Sequence, residues 1–279
     1  MVWHDELHAS PLGEKSPYVT EYTPSLLYPV KRSKSREPMG IGNGPLPFLG
    51  ADVWNGFELT WLDLRGKPVV AVGCFVFPCT SESVVESKSF KLYLSSFHMS
   101  RFESLWTVQQ IVQADLSKAV GAPVQVELTL YQDYVPTLQA MSGECIDGLE
   151  IACELYHPEP KLLALDAGAN AGFVNESLNS NLLMSTCPVT GQPDYASVWI
   201  GYEGRRIERE GLLKYLVSYR RHGDFHEACV ERIFIDIMRQ CSPSALTVCG
   251  KYTRRGGLDI NPTRSTHNGE PSKRRLYRQ

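Results

Sequence analysis

The chain has 279 residues, 43% hydrophobic and 21% charged, with 28 lysines and arginines against 31 acidic residues and a formal net charge of -3. That length excludes a disulfide-stapled miniprotein and accommodates two domains of roughly 100–150 residues; the composition is far from the low-hydrophobicity, high-charge regime of disordered chains. No apolar run approaches the ~20 residues that span a bilayer. The start, Met1-Val2-Trp3-His4-Asp5-Glu6, lacks the basic-then-apolar pattern of a secretion signal, so a cytoplasmic protein is expected.

From Met1 to about Gly50 the sequence is rich in proline, serine and charge. Lys31-Arg32-Ser33-Lys34-Ser35-Arg36-Glu37 reads as an exposed loop, and residues 1–45 as an extension with little regular structure. Phe57, Leu59 and Trp61 alternate ahead of an Arg65-Gly66-Lys67 turn, and Pro68 to Phe77 is a short apolar run, which together predict a strand pair. Helices are expected over Ser83 to Phe97 and Arg101 to Val120, the second with Leu105, Val108, Val112, Leu116 and Ala119 on one face and Gly121 as its C-cap. Val124, Val126, Leu128 and Leu130 alternate with polar residues and predict another strand, with Leu149 to Glu154 as its potential partner.

The second half repeats this order. Strands are expected over Asn181 to Ser185 and Ala196 to Tyr202, helices over Glu210 to Arg220 and Phe225 to Arg239, and strands over Leu246 to Tyr252 and Gly257 to Ile260. Each half thus reads strand-strand-helix-helix-strand-strand, and antiparallel sheets backed by helix pairs bury such a set economically. A duplicated α+β architecture follows, with domains over 46–150 and 151–279.

The residues limit the chemistry. Among eight cysteines there is no Cys-x-x-Cys pair and no histidine at zinc-finger distance from one, so no metal site is expected. The cluster Gly40-Ile41-Gly42-Asn43-Gly44 lacks the preceding strand and following helix of a dinucleotide fingerprint and reads as loop. Between Gly250 and Gln279 the local charge is +6, which could bind phosphates non-specifically, but the remaining -9 opposes a broad nucleic-acid surface.

Three segments stand out. In Ser185-Thr186-Cys187-Pro188-Val189-Thr190-Gly191-Gln192-Pro193-Asp194 a cysteine ends one strand and a turn-rich loop returns a carboxyl towards it, which suits a nucleophile and a general acid or base. A buried apolar thiol and a turn-capping aspartate are the plain alternatives. Phe225-His226-Glu227 opens a helix, where a glutamate offsets the dipole or, semi-buried, accepts paired hydrogen bonds from a guanine-like or pterin-like base. In Glu86-Ser87-Lys88-Ser89-Phe90-Lys91-Leu92-Tyr93, the lysines lie near a helix start that favours anions.

These three segments, in this order, resemble the motifs of the NADPH-dependent nitrile reductases of queuosine biosynthesis, the 7-cyano-7-deazaguanine reductases, over about Leu46 to Pro262. The resemblance is to the long, bimodular branch and implies two tandem tunnelling-fold domains, related to GTP cyclohydrolase I, that assemble as a homodimer. It further implies reduction of a 7-deazaguanine nitrile to the primary amine with two NADPH through a cysteine thioimide. Cys187 and Asp194 carry over as catalytic residues, Glu86, Ser87, Lys88, His226 and Glu227 as substrate contacts, and Lys88, Ser89, Arg255 and Gly256 as NADPH contacts. No metal, membrane or direct tRNA contact is implied. The rival readings are another purine or pterin enzyme of this fold, such as a cyclohydrolase, and a tRNA-binding module.

Overall fold

A computed structural model describes residues 19–42, 44–136, 138–168, 171–269 and 271–279. In chain order the elements are β1 (Pro29–Lys31), α1 (Ser33–Arg36), β2 (Leu49–Leu62), β3 (Pro68–Pro78), β4 (Ser83–Val85), α2 (Ser87–Ser96), α3 (Leu105–Val120) and β5 (Gln125–Leu130). They continue with β6 (Glu144–Cys145), β7 (Phe173–Thr186), β8 (Pro193–Arg205), α4 (Arg209–Val217), α5 (His226–Cys241), β9 (Ala245–Tyr252) and β10 (Leu258–Ser265). The chain forms two compact units, the first from Met1–Lys34, Ala51–Thr137 and Arg254–Ile260, the second from Ser35–Gly50, Leu138–Thr253 and Asn261–Gln279, as far as these are described. They are not contiguous, in contrast to the expected division into 46–150 and 151–279: segment 35–50 belongs with the second half of the chain and 254–260 with the first.

In the first unit β3 pairs antiparallel with β2 and β5, and α2 and α3 bury their apolar faces with the strand side chains in one cluster. Val108, Val112, Leu116 and Val120 recur at four-residue spacing on α3 and are fully buried. Ser104 accepts the Thr107 N–H at the start of this helix, and Gly121, at φ +72°, ends it. Val126 and Leu128 of β5 are buried while Gln125 and Glu127 are exposed, the half-buried strand that the alternation predicts. Its partner is β3, and residues 149–154 form no strand, because the β2–β3 hairpin already supplies the pairing edge. The helix expected from Ser83 begins only at Ser87: Val84 and Val85, β-branched, extend as β4 and pair with β1.

In the second unit β8 pairs antiparallel with β7 and β9, β9 with the end of β10, and β6 runs parallel to β7. Both strand-pair repeats carry a bulge at the same place, between Gly56 and Leu59 in β2 and between Ser180 and Leu183 in β7. In β7 the irregular backbone is held by Asp147, which accepts the Asn181 N–H at 3.0 Å, the Asn181 side-chain amide at 2.9 Å and the Ser180 hydroxyl at 2.6 Å. The architecture is α+β; the second half has the expected strand-strand-helix-helix-strand-strand order, whereas in the first half β4 precedes the helices and the expected strand over 149–154 is absent.

The basic stretch 31–37 is not an exposed loop. Arg32 donates to Asp52 at 2.6 Å and to the Ser81 hydroxyl at 3.0 Å within the first unit. Arg36 forms a two-pronged contact with Glu231 of α5 at 2.7 and 2.9 Å within the second, where Arg264 also donates to Glu231 Oε1 through Nε and Nη2. A run of basic residues usually marks a solvated face; here two arginines find carboxylates in the interior. Phe48 packs beneath both guanidinium groups of the Glu231 cluster, 5.6 Å from Arg36 and 5.4 Å from Arg264. Glu231→Ala leaves two buried arginines without their shared acceptor and is expected to cost about 3–5 kcal/mol. This is read as a lowered urea midpoint; an unchanged midpoint contradicts the assignment.

Candidate active site

In the second unit β7 ends at Thr186 and β8 begins at Pro193, so Cys187 stands at the root of a short hairpin loop. Its N–H donates to the Gln192 carbonyl at 2.8 Å and its carbonyl accepts the Gly191 N–H at 3.0 Å, closing the loop on itself. Asp194 pairs in register with Ser185, which sets the carboxyl on the strand next to the cysteine's. Thr186 is braced from its other side: its N–H donates to the His222 carbonyl at 2.8 Å and its carbonyl accepts the Asp224 N–H at 3.2 Å. Residues 222–224 lead directly into α5, whose first residues are His226 and Glu227. Backbone hydrogen bonds thus tie the hairpin root to the helix start, and loop function rests on rigid elements.

The side chains follow. Cys187 is 7% exposed, Asp194 4% and Glu227 4%. His226 Nε2 lies 3.4 Å from Asp194 Oδ2, and the imidazole stacks on Tyr252 with centroids 3.7 Å apart and planes 5° from parallel. Burial holds the Tyr252 phenol well above its ordinary pKa, so it stays neutral. The arrangement offers a sheltered thiol, a carboxyl beside an imidazole and a second buried carboxylate at a helix start, a set suited to covalent catalysis with proton delivery.

The other expected residues lie in the first unit. Glu86 caps α2: its two oxygens accept the Lys88 and Ser89 N–H groups, each at 2.7 Å. Burial raises its pKa, and these amide bonds oppose the rise. The Ser89 hydroxyl donates to the Glu86 carbonyl at 2.7 Å and accepts the Tyr28 N–H at 3.0 Å, so Glu86 and Ser89 both build the helix start. Ser87 and Lys88 are half-buried, and Lys91, one turn on, is exposed.

Arg255 and Leu258 exchange both backbone hydrogen bonds around Gly256-Gly257, at φ +57° and +78°, the left-handed pair of a two-residue hairpin turn. A β-carbon at Gly256 would lie 2.9 Å from Lys91 Cδ, so the turn and the α2 lysine meet within this unit. A helix start, two lysines a turn apart, and a glycine turn flanked by an arginine fit a phosphate-bearing cofactor.

Among the described residues no three His, Cys, Asp or Glu side chains converge on a metal position, and no helix is long and apolar enough to cross a membrane. Three of the eight basic residues of the tail are drawn into the interior. Arg264 and Arg275 are buried, and Lys251, also buried, donates to the Ser272 and Arg274 carbonyls. A cavity of about 360 Å³ over Thr247, Cys249 and Lys251 contains none of the expected site residues.

The family described as nitrile reductase, 7-cyano-7-deazaguanine-reductase N-terminal region, matches residues 18–128, and the family described as QueF-like protein matches residues 193–271. The NADPH-dependent 7-cyano-7-deazaguanine reductase of Dechloromonas aromatica is 50% identical over 99% of this chain and 97% of its own length. The chain belongs to the 7-cyano-7-deazaguanine reductase family. The similarly named proteins of Chromobacterium violaceum and Saccharophagus degradans are 48% and 49% identical, over 94% of both chains and over 96% and 98%, respectively.

Within this reductase family's pattern, the sequence reading groups Cys187 with Asp194 and His226 with Glu227, and the structure brings all four into one unit. It misses Tyr252, which reads as an ordinary strand residue, and the brace at 222–224, which carries no motif. Lys91 was legible as a helix-start lysine; its contact with Gly256 was not, because 165 residues separate them in the chain.

Proposed function

We propose that this protein reduces the nitrile of 7-cyano-7-deazaguanine to the primary amine, 7-aminomethyl-7-deazaguanine, within queuosine biosynthesis. Cys187 acts as nucleophile, Asp194 as proton donor, Glu227 with His226 as base-binding groups, and Lys88, Lys91, Arg255 and Gly256 as the NADPH cradle. Glu86 and Ser89, with Ser87 between them, build the start of α2 that carries Lys88 and Lys91. The observation that carries the reading is Cys187 at the root of the hairpin whose second strand holds Asp194, with His226 Nε2 3.4 Å from Asp194 Oδ2.

The Cys187 thiolate adds to the nitrile carbon, a π pair shifts to nitrogen, and the Asp194 carboxyl protonates that nitrogen to give the thioimide. This divides one difficult reduction into two easier ones. NADPH, when bound, supplies hydride, and two equivalents with two protons meet the four-electron demand. Return of the electron pair to sulfur frees Cys187 before the second reduction, and Asp194, reprotonated from water after its first transfer, delivers the remaining proton. Near-complete burial of Cys187 and Asp194 shields the thioimide from hydrolysis.

Incubation with 7-cyano-7-deazaguanine and NADPH tests the reaction: a product heavier by four hydrogens supports it, and unchanged nitrile contradicts it. A homodimer belongs to the same proposal and is checked by light scattering. So does the absence of direct tRNA binding, supported by the buried Lys251, Arg264 and Arg275 and checked by a gel shift. Gly256→Ala forces a β-carbon against Lys91 from a left-handed backbone. It is expected to raise the NADPH KM about tenfold while Cys187 adduct formation is unchanged; equal loss of both contradicts the cradle.

A further inference from the structure

A catalytic imidazole is normally aimed by a hydrogen bond from its second nitrogen to a carbonyl or carboxylate. His226 has no such brace: Nδ1 is buried and makes no hydrogen bond among the described residues, while Nε2 faces Asp194. What fixes the plane of this ring is Tyr252, fully buried, lying parallel to it at 3.7 Å. Tyr252 is itself held firmly. It pairs in register with Ala196 across β8 and β9, and its carbonyl accepts the Gln279 side-chain amide at 3.0 Å, which also donates to Asn261 Oδ1 at 2.5 Å.

We infer that Tyr252 is a positioning residue for proton delivery: its ring, through the stack, holds the His226 imidazole in the plane that keeps Nε2 on Asp194. The inference rests on the reductase reading above and adds to it the element that aims the acid. A merely space-filling residue here could be any large apolar side chain, whereas a parallel stack needs a planar ring. The phenol oxygen is buried and makes no hydrogen bond among the described residues, so the part of Tyr252 that meets His226 is its ring.

The test compares Tyr252→Phe with Tyr252→Leu in the full chain. The phenylalanine variant is expected to keep kcat within about threefold of wild type. The leucine variant is expected to lose about 10–100-fold in kcat and in the rate of Cys187 adduct formation, the scale of a small misalignment of a reacting group, with the NADPH KM unchanged. Wild-type kcat in the leucine variant overturns the inference. So does an equal loss in both variants, which would assign the effect to the hydroxyl.

Leucine at a fully buried position can fail to fold, so a second measurement uses the wild-type protein. The His226 ring-proton signals, identified by their absence in His226→Asn, are expected upfield of ordinary histidines because they lie over the Tyr252 ring; ordinary shifts would overturn the stack. Failure of the reductase reading looks different. Wild-type protein with upfield His226 signals and no nitrile turnover contradicts that reading, and the positioning role with it, while leaving the stack as packing alone.

Discussion

Cys187→Ala is expected to abolish the covalent adduct with 7-cyano-7-deazaguanine in intact-mass spectra and to lower kcat by about 10⁴-fold or more, the scale seen when a catalytic nucleophile is removed. The size of the loss follows from position. The thiol stands at the root of the β7–β8 hairpin, tied through Gln192 and Gly191, and is 7% exposed. The loop therefore presents the same backbone whether residue 187 is cysteine or alanine, and the deletion removes only the sulfur. Stability is expected to change little, and substrate affinity is expected to persist because Glu227 is untouched. An adduct in the alanine variant would move the nucleophile to another cysteine. Cys229, on α5, is the one to check next; burial pushes its thiol far above the ordinary range and disfavours the thiolate.

Glu227→Ala is the second large effect. In the proposed role this 4% exposed carboxylate accepts paired hydrogen bonds from the ring N–H and exocyclic amine of the base, and its removal costs two charge-assisted bonds at about 1.5–3 kcal/mol each. Nitrile binding should therefore weaken by about 10²–10⁴-fold. NADPH binding should be unaffected, because Glu227 is not among its proposed contacts. Glu227→Gln keeps one acceptor and is expected to fall between the two. Calorimetric titration of each ligand checks this, and equal weakening of both would contradict a base-reading role.

The parts of this molecule that were legible in the sequence are those where local chemistry decides the outcome. Alternation in 125–130 and four-residue spacing in 108–120 dictate which faces are buried, and Gly121 ends α3 because its left-handed φ suits glycine. Cys187 and Asp194 were legible as a pair because only a short loop separates them, and a two-strand hairpin must bring its ends together. What stayed hidden depends on partners far along the chain. Arg36 reads as loop charge until Glu231, 195 residues away, is seen to accept it. Tyr252 reads as strand filler until α5 lays His226 on its ring. Val84 and Val85 were hidden differently: a helix and a β-branched strand compete over three residues, and pairing with Pro29–Lys31 decides it.

The measurement that most directly tests the central claim is nicotinamide absorbance during complete turnover of a limiting, known amount of 7-cyano-7-deazaguanine with excess NADPH. Two NADPH oxidised per nitrile, with the aminomethyl base as the sole product, is the predicted result. One NADPH per nitrile, or none by folded protein, would contradict it.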